Sequence, residues 1–330
     1  MPRVLIGPPP LVGIESPFIE VLKKAGFELV FPTKKGQMVE ADLMEQLANI
    51  DAALAGSEPY TRKVQTAFPQ LRVIARAGVG YDAVDTDAAT DLGKAVCITP
   101  NTNHDSVAEH TFCLILALAK DLINQHQGTI ADKWPRRANL PLRGRTLGIA
   151  GLGRIGKAVA LRGECFGMKL LAFDPYPDHA FIQQHGIRLV SWDELVRESD
   201  YLTLHMPATK DARHLVNAKT LAAMKPTAFL VNTARGALVN EADLFVALKS
   251  KQIAGAGIDV FENEPPGVHP IFQLKNVVIT PHAAGVDLQS RDDMARSAAE
   301  AIVSLSRGEW PGEKVVNPAV KDKFRWQRPA

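Results

Sequence analysis

Three short segments of this chain put reactive side chains directly after apolar, strand-like runs. They are Val231-Asn232-Thr233-Ala234-Arg235-Gly236, the stretch from Asp259 through Phe261 and Glu262 to Glu264-Pro265, and Ile279-Thr280-Pro281-His282. Singly, each has an ordinary explanation: Arg235 as a surface ion-pair partner, Glu264 as a turn carboxylate, His282 as a helix cap. Together they emerge at successive strand ends, the edge at which open α/β sheets hold ligands, so they can converge on one crevice. A guanidinium there offers a planar fork to an anion. An imidazole exchanges a proton near neutral pH, and a carboxylate can orient it.

A fourth segment belongs to the same edge. Gly151-Leu152-Gly153-Arg154-Ile155-Gly156 follows the apolar run Leu147-Gly148-Ile149-Ala150 and opens a helical stretch over residues 157–166. Strand, glycine turn and helix in that order, with Asp174 closing the next strand, form the pattern of a dinucleotide-binding turn. The first glycine makes the tight turn, the second admits a pyrophosphate, and the third lets the helix pack on the strand. The helix N-terminus meets the anion with unpaired N–H groups and its positive dipole end. Asp174 is expected to accept hydrogen bonds from the adenosine ribose and to repel a 2′-phosphate, which favours NAD over NADP. Arg154 either reaches a pyrophosphate oxygen or stays solvated.

The surrounding pattern supplies the scaffold. Short β-branched or Leu-rich runs at 4–6, 28–31, 52–55, 71–75 and 95–98 alternate with amphipathic stretches such as 14–25 and 41–47. That alternation predicts βα units and a parallel sheet. After a helical stretch over 106–126, a second series at 146–150, 169–173, 201–205, 227–232, 254–259 and 277–280 predicts a six-stranded doubly wound sheet. Residues 127–142, with Trp134, Pro135 and Pro141, lack periodicity and predict an extended arm. A last helix over 288–307 has no sheet of its own and must pack on the first domain.

Composition narrows the function classes. With 330 residues, 46% hydrophobic and 22% charged, the chain has room for two filled cores. A net charge of +2 without a basic block argues against nucleic acid as a partner. The N-terminal apolar run is too short for a signal peptide, and no apolar stretch reaches membrane-spanning length, so no membrane contact and a cytoplasmic location are expected. Cys97, Cys113 and Cys165 form neither a disulfide framework nor a metal pattern, and buried reduced thiols are expected.

The chain resembles the D-isomer-specific 2-hydroxyacid dehydrogenase family over nearly its whole length. The resemblance is carried by Arg76-Ala77-Gly78-Val79-Gly80-Tyr81-Asp82, Ser106-Val107-Ala108-Glu109-His110, the glycine fingerprint, Val231 to Gly236, Asp259 to Pro265, and Pro281-His282. It implies an α/β fold of two doubly wound parallel-sheet domains. A Rossmann NAD-binding domain, residues 102–285 with an arm at 127–142, is inserted into a flavodoxin-like substrate domain of residues 1–101 and 286–330, with the active site in the cleft between them. Catalytic roles fall to Arg235, Glu264 and His282. Cofactor contacts fall to the glycine loop with Arg154 and Ile155, to Asp174, His205, Pro207, Thr233 and Ala234, and to Asp259 at the nicotinamide carboxamide. Substrate contacts fall to Ala77, Gly78, Val79, Gly80 and Asn101 as well as Arg235 and His282, with Asn101 to Ser106 lining the hinge. A homodimer through the NAD-binding domains, with Trp134 as a packing residue or an insertion toward the partner, is also implied.

The chemistry of a 2-keto acid calls for the same residue types. Hydride arrives at C2 and a proton at the developing alkoxide, so a histidine at that oxygen is the natural donor. A carboxylate on its far ring nitrogen favours the imidazolium and fixes the ring. Arginine both positions the substrate carboxylate and polarises the carbonyl. Glu58 stands where a phosphate-binding member would offer a basic residue, which weakens 3-phosphoglycerate as substrate without excluding it, because Arg62 and Arg76 are close in sequence. Glyoxylate, hydroxypyruvate and other small keto acids are all admissible. Two other readings stay open: an NAD-sensing, corepressor-like binding protein, and a formate or phosphite dehydrogenase.

Overall fold

The computed structural model describes residues 1–326, so the last four residues of the expected C-terminal segment, 327–330, lie outside the described residues. The chain divides into two compact units, one made of Met1–Asn103 with the segment from Val286 onward, the other of His104–Gly285.

The first unit holds five strands, β1 (Arg3–Ile6), β2 (Glu28–Val30), β3 (Ala52–Ala55), β4 (Val73–Arg76) and β5 (Ala95–Cys97). They are all parallel in the order β2-β1-β3-β4-β5. Parallel sheets are covered on both faces, so their strands read as continuous apolar runs instead of alternating ones. Here Val4, Ile6, Leu54 and Val73 face a cluster with Phe18 and Leu22 of the helix Pro17–Lys24. Leu5, Ala53 and Ile74 face the opposite cluster with Leu43 and Val64. The last helix, Leu288–Ser306, starts at Asp287, whose carboxylate accepts the Ser290 N–H at 2.6 Å. Its Ala295, Ala298, Ala299 and Ile302 complete the first of these clusters, which is where the sequence required it to pack.

The second unit holds seven strands: β6 (Thr146–Ala150), β7 (Lys169–Phe173), β8 (Arg188–Leu189), β9 (Tyr201–Leu204), β10 (Phe229–Asn232), β11 (Gly255–Ile258) and β12 (Val277–Ile279). They too are all parallel, in the order β12-β11-β10-β9-β6-β7-β8. The expected class, two parallel-sheet α/β domains, is borne out, with one strand more than expected. That strand, β8, has only two residues, Arg188 and Leu189, both exposed, too short a run to stand out as a strand. From β6 the chain builds outward through β7 and β8, then returns to β9 and builds the other way. The topological switch therefore lies between the C-terminal ends of β6 and β9, where such sheets bind ligands.

Three further expectations need correction. The helix expected over 106–126 is two helices, His104–Ala119 and Leu122–Ile130, separated at Asp121, whose φ of +50° lies in the left-handed region and interrupts the helical path. The second helix takes the first residues of the expected arm, and only 131–142 lack helix or strand. Of the cysteines, Cys97 is buried, but Cys113 and Cys165 are exposed. Cys113 continues the i, i+4 stripe of Asp105 and Glu109 on the outer face of its helix, so helix phase overrides its apolar neighbours. Among the described residues no helix is long and apolar enough to cross a membrane.

Candidate active site

Because every strand of the second unit is parallel, all their C-terminal ends share one edge. The glycine loop follows β6, Asp174 follows β7, His205 and Pro207 follow β9, Thr233 to Arg235 follow β10, Asp259 to Glu264 follow β11, and His282 follows β12. Six strand ends thus present the expected residues along a single edge.

The glycine loop has the shape a dinucleotide needs. Gly151 has φ +93°, and a Cβ on Gly156 would collide with the Gly151 carbonyl oxygen, so neither position admits a side chain without movement. The helix Arg154–Cys165 begins at once, with Gly153 as its N-cap, Ile155 half-buried and Arg154 exposed. Asp174 is tied to this loop: its Oδ2 accepts the Leu152 N–H at 2.6 Å and its Oδ1 the Tyr176 N–H at 2.7 Å. Each carboxylate oxygen keeps a further lone pair for a ribose hydroxyl. His205 reaches the loop through its backbone, its N–H donating to Ala150 O at 2.7 Å. Its ring turns inward, with Nε2 2.9 Å from Thr203 Oγ1 and Nδ1 buried without a partner. Burial pushes this imidazole down to about 3, so it is neutral at physiological pH. Pro207 lies exposed in the loop beyond.

At the other end of the edge, His282 and Glu264 meet. The His282 Nδ1–H donates to Glu264 Oε2 at 2.6 Å, and the Phe261 N–H donates to Glu264 Oε1 at 2.9 Å. The two side chains are 42% and 32% exposed. An ion pair that open contributes about 0–1 kcal/mol to stability. Ring orientation, more than stability, is therefore what the pair supplies. His282 also has φ +53°, a backbone conformation that costs on the order of 1–3 kcal/mol in a non-glycine residue and persists only when its surroundings impose it.

Those surroundings centre on Asp259. Its carboxylate is fully buried and accepts from Thr280 Oγ1 at 2.5 Å, the Ala283 N–H at 2.9 Å and the Ala284 N–H at 3.0 Å. Its carbonyl accepts the His282 N–H at 2.7 Å. His110 Nε2 lies 2.9 Å from Thr280 Oγ1, and Ser106 Oγ donates to Ala284 O at 2.8 Å. In this structure Asp259 thus moulds the turn that carries His282, and its side chain has no exposed surface.

On β10, Asn232 shapes the arginine turn. Its Oδ1 accepts the Ala234 N–H at 3.0 Å and its Nδ2 donates to Arg235 O at 2.8 Å. Thr233 is buried, with Oγ1 3.0 Å from Thr111 Oγ1. Gly236 lies so close to the Phe261–Glu262 peptide that a Cβ there would collide with it, which locks the arginine turn against the segment bearing Glu264. Arg235 NH1 donates to Ala234 O at 2.6 Å.

The remaining predicted residues belong to the first unit. The Ala77–Gly80 loop follows β4. Gly78 is pinned on both sides, its N–H to Thr99 Oγ1 at 2.9 Å and its carbonyl to the Thr99 N–H at 3.0 Å, while Arg76 Nε donates to Gly80 O at 2.7 Å. Asn101 has φ +65° and lines a polar hollow with Asp293 and Arg296. Sequence reasoning missed Thr280, Phe261 and Asn232 as organisers of the site. Asn232 carried a signal, since an Asn two residues before a turn amide favours an Asx-type bond. The other two carried none.

The NAD binding domain of the D-isomer specific 2-hydroxyacid dehydrogenases is the family model that matches this chain, over residues 112–284. The chain belongs to that family and is an NAD-dependent oxidoreductase of its class. It is 38% identical over 287 residues to a glyoxylate reductase of Korarchaeum cryptofilum, covering 84% of this chain and 86% of that one. It is 36% identical to a D-3-phosphoglycerate dehydrogenase of Synechocystis over 95% of its own length, but spans only 57% of that longer protein. A solved D-lactate dehydrogenase from Aquifex aeolicus, complexed with NAD and lactic acid, superposes with a TM-score of 0.84 at 27% identity, covering 96% of this chain and 99% of that one.

Proposed function

We propose that this chain reduces a small, unphosphorylated 2-oxo acid of the glyoxylate or hydroxypyruvate kind to the corresponding 2-hydroxy acid, the D enantiomer where C2 becomes chiral, with NADH in preference to NADPH. The observation that carries this reading is the 2.6 Å bond from His282 Nδ1 to Glu264 Oε2. With Nδ1–H committed to the carboxylate, Nε2 is the nitrogen left to hold the catalytic proton. In the reducing direction His282 Nε2–H donates to the developing alkoxide, and in the oxidising direction Nε2 takes that proton back. Glu264 fixes the orientation of the ring through Nδ1 and leaves Nε2 facing away from the carboxylate. Arg235 binds the substrate carboxylate and polarises the neighbouring carbonyl.

NAD, when bound, supplies or receives the hydride. The glycine loop, with Arg154 and Ile155 opening its helix, holds the pyrophosphate, while Asp174 accepts from the ribose and disfavours a 2′-phosphate. His205, Pro207, Thr233 and Ala234 line the cofactor's path along the sheet edge, and Asp259 holds its nicotinamide end through the His282 turn. In the first unit, the Val79 and Gly80 amides of the Ala77–Gly80 loop are suited to a carboxylate, and residues 1–101 with 286–330 form the substrate domain. The exposed apolar side chains Leu122, Ile123, Ile130 and Trp134 support a homodimer through the NAD-binding unit.

The preference for an unphosphorylated acid follows from Glu58. It is a buried acidic residue at the C-terminal end of β3, its Oε2 accepting the Gly56 N–H at 2.5 Å. Burial raises its carboxyl, and the neighbouring Arg76 guanidinium, whose Nε is bonded to Gly80 O, faces this acid, which lessens what it can offer a phosphate. The test is NADH oxidation with glyoxylate, hydroxypyruvate and 3-phosphohydroxypyruvate, with NADPH run in parallel. Faster turnover of the unphosphorylated acids with NADH is expected. A clear preference for 3-phosphohydroxypyruvate would reject the substrate assignment.

A further inference from the structure

The two successive peptide groups that flank Phe261 lie beside the His282–Glu264 pair, yet part of what holds them lies outside the reacting groups. On one side the Phe261 N–H orients the Glu264 carboxylate at 2.9 Å. On the other, the Glu262 N–H donates to Glu241 Oε1 at 2.7 Å. Glu241 is the first residue of the helix Glu241–Lys249, fixed there by Asn240, whose Oδ1 accepts the Ala242 and Asp243 N–H groups at 3.1 Å each. Its second oxygen, Oε2, accepts from His269 Nε2 at 3.1 Å. The tautomer follows from the neighbouring bond: the Ile271 N–H donates to His269 Nδ1 at 3.3 Å, so Nε2 bears the hydrogen.

One carboxylate therefore grips the Glu264 segment at two points, at Glu262 before it and at His269 after it. Glu241 and His269 side chains are only 19% and 16% exposed, so these bonds face little competition from water. The Glu262 side chain adds a third anchor, accepting from His214 Nε2 at 2.6 Å. Gly236 closes the arrangement from the β10 side by packing on the Phe261–Glu262 peptide, whose N–H Glu241 accepts.

We propose that Glu241 is a positioning residue for the Glu264–His282 pair. By holding the Glu262 N–H and His269, it sets the Phe261–Glu264 turn whose amide aims the Glu264 carboxylate at His282. The inference rests on the acid/base reading of that pair. A competing role exists, because a carboxylate in the first turn of a helix also interacts favourably with the helix dipole. That role predicts lost stability and no coupling to Glu264.

The two roles separate in a double-mutant cycle on the full chain. Wild type, Glu241→Ala, Glu264→Ala and the double variant are compared for keto-acid reduction, with active protein counted by NADH titration. Glu241→Ala is expected to lower kcat roughly tenfold, the scale of a small misplacement of a reacting group, while NADH binds as before. In the Glu264→Ala background the same change is expected to cost nothing further. Glu241→Gln should recover part of the loss, since its amide oxygen still accepts the Glu262 N–H, and it carries the cycle if the alanine variant does not fold. Equal losses in both backgrounds, or an unchanged kcat in a folded Glu241 variant, overturn the proposal while leaving the pair intact. Normal turnover in Glu264→Ala overturns the pair and this inference together.

Discussion

His282→Ala lowers turnover of the keto acid by about 10²–10⁴-fold, the usual contribution of a positioned acid or base, while NADH binding is retained. The expectation follows from geometry. The imidazole is partly open to solvent, held by Glu264 at one nitrogen, and raised on a left-handed backbone turn that Asp259 and Thr280 impose. None of these contacts helps to form the glycine loop, which lies at β6 on the far side of β11, β10 and β9 in the sheet. If His282 is the proton donor proposed above, removing the ring takes the donor away and leaves the glycine loop standing. Steady-state kinetics and a fluorescence titration with NADH check the two halves. Unchanged turnover in folded protein would remove His282 from the mechanism.

Arg235→Lys raises KM for the keto acid and lowers kcat/KM by about two orders of magnitude, comparable to the loss of a preorganised donor at a developing oxyanion. An ammonium is a point charge, and it cannot bridge a carboxylate and the adjacent carbonyl with one planar fork. The turn itself should survive, because Asn232 builds it through the Ala234 N–H and the Arg235 carbonyl, both main-chain groups. Initial rates over a range of substrate concentrations, with NADH saturating, measure the effect. Near-normal kinetics would show that another residue holds the carboxylate.

What could be read from the sequence was what is local. The glycine turn declares itself within a few residues because backbone approach needs glycine at fixed spacing. Arg235, Glu264 and His282 stood out because each follows an apolar run, and parallel strands carry those ends to one edge. The two sheets were legible for the same reason, apart from β8, which is only two residues long and exposed at the sheet edge. What stayed hidden was pairing over distance. The bond from Thr280 to Asp259 and the grip of Glu241 on Glu262 each span 21 residues and leave no periodic mark. The helix break at Asp121 is one residue's φ inside a pattern that otherwise continues. Cys113 shows a different failure: its neighbours are apolar, and only helix phase, read from Asp105 and Glu109, puts it outside.

The proposed chemistry is hydride delivery to C2 of a 2-keto acid and proton delivery to its carbonyl oxygen, with D selectivity. The most direct measurement incubates the protein with pyruvate or hydroxypyruvate and excess NADH, follows NADH loss by absorbance, and resolves the hydroxy acid by chiral chromatography. One NADH consumed per keto acid and the D enantiomer as product are expected. L product, or no NADH consumption by protein shown to bind the cofactor, would contradict this chemistry.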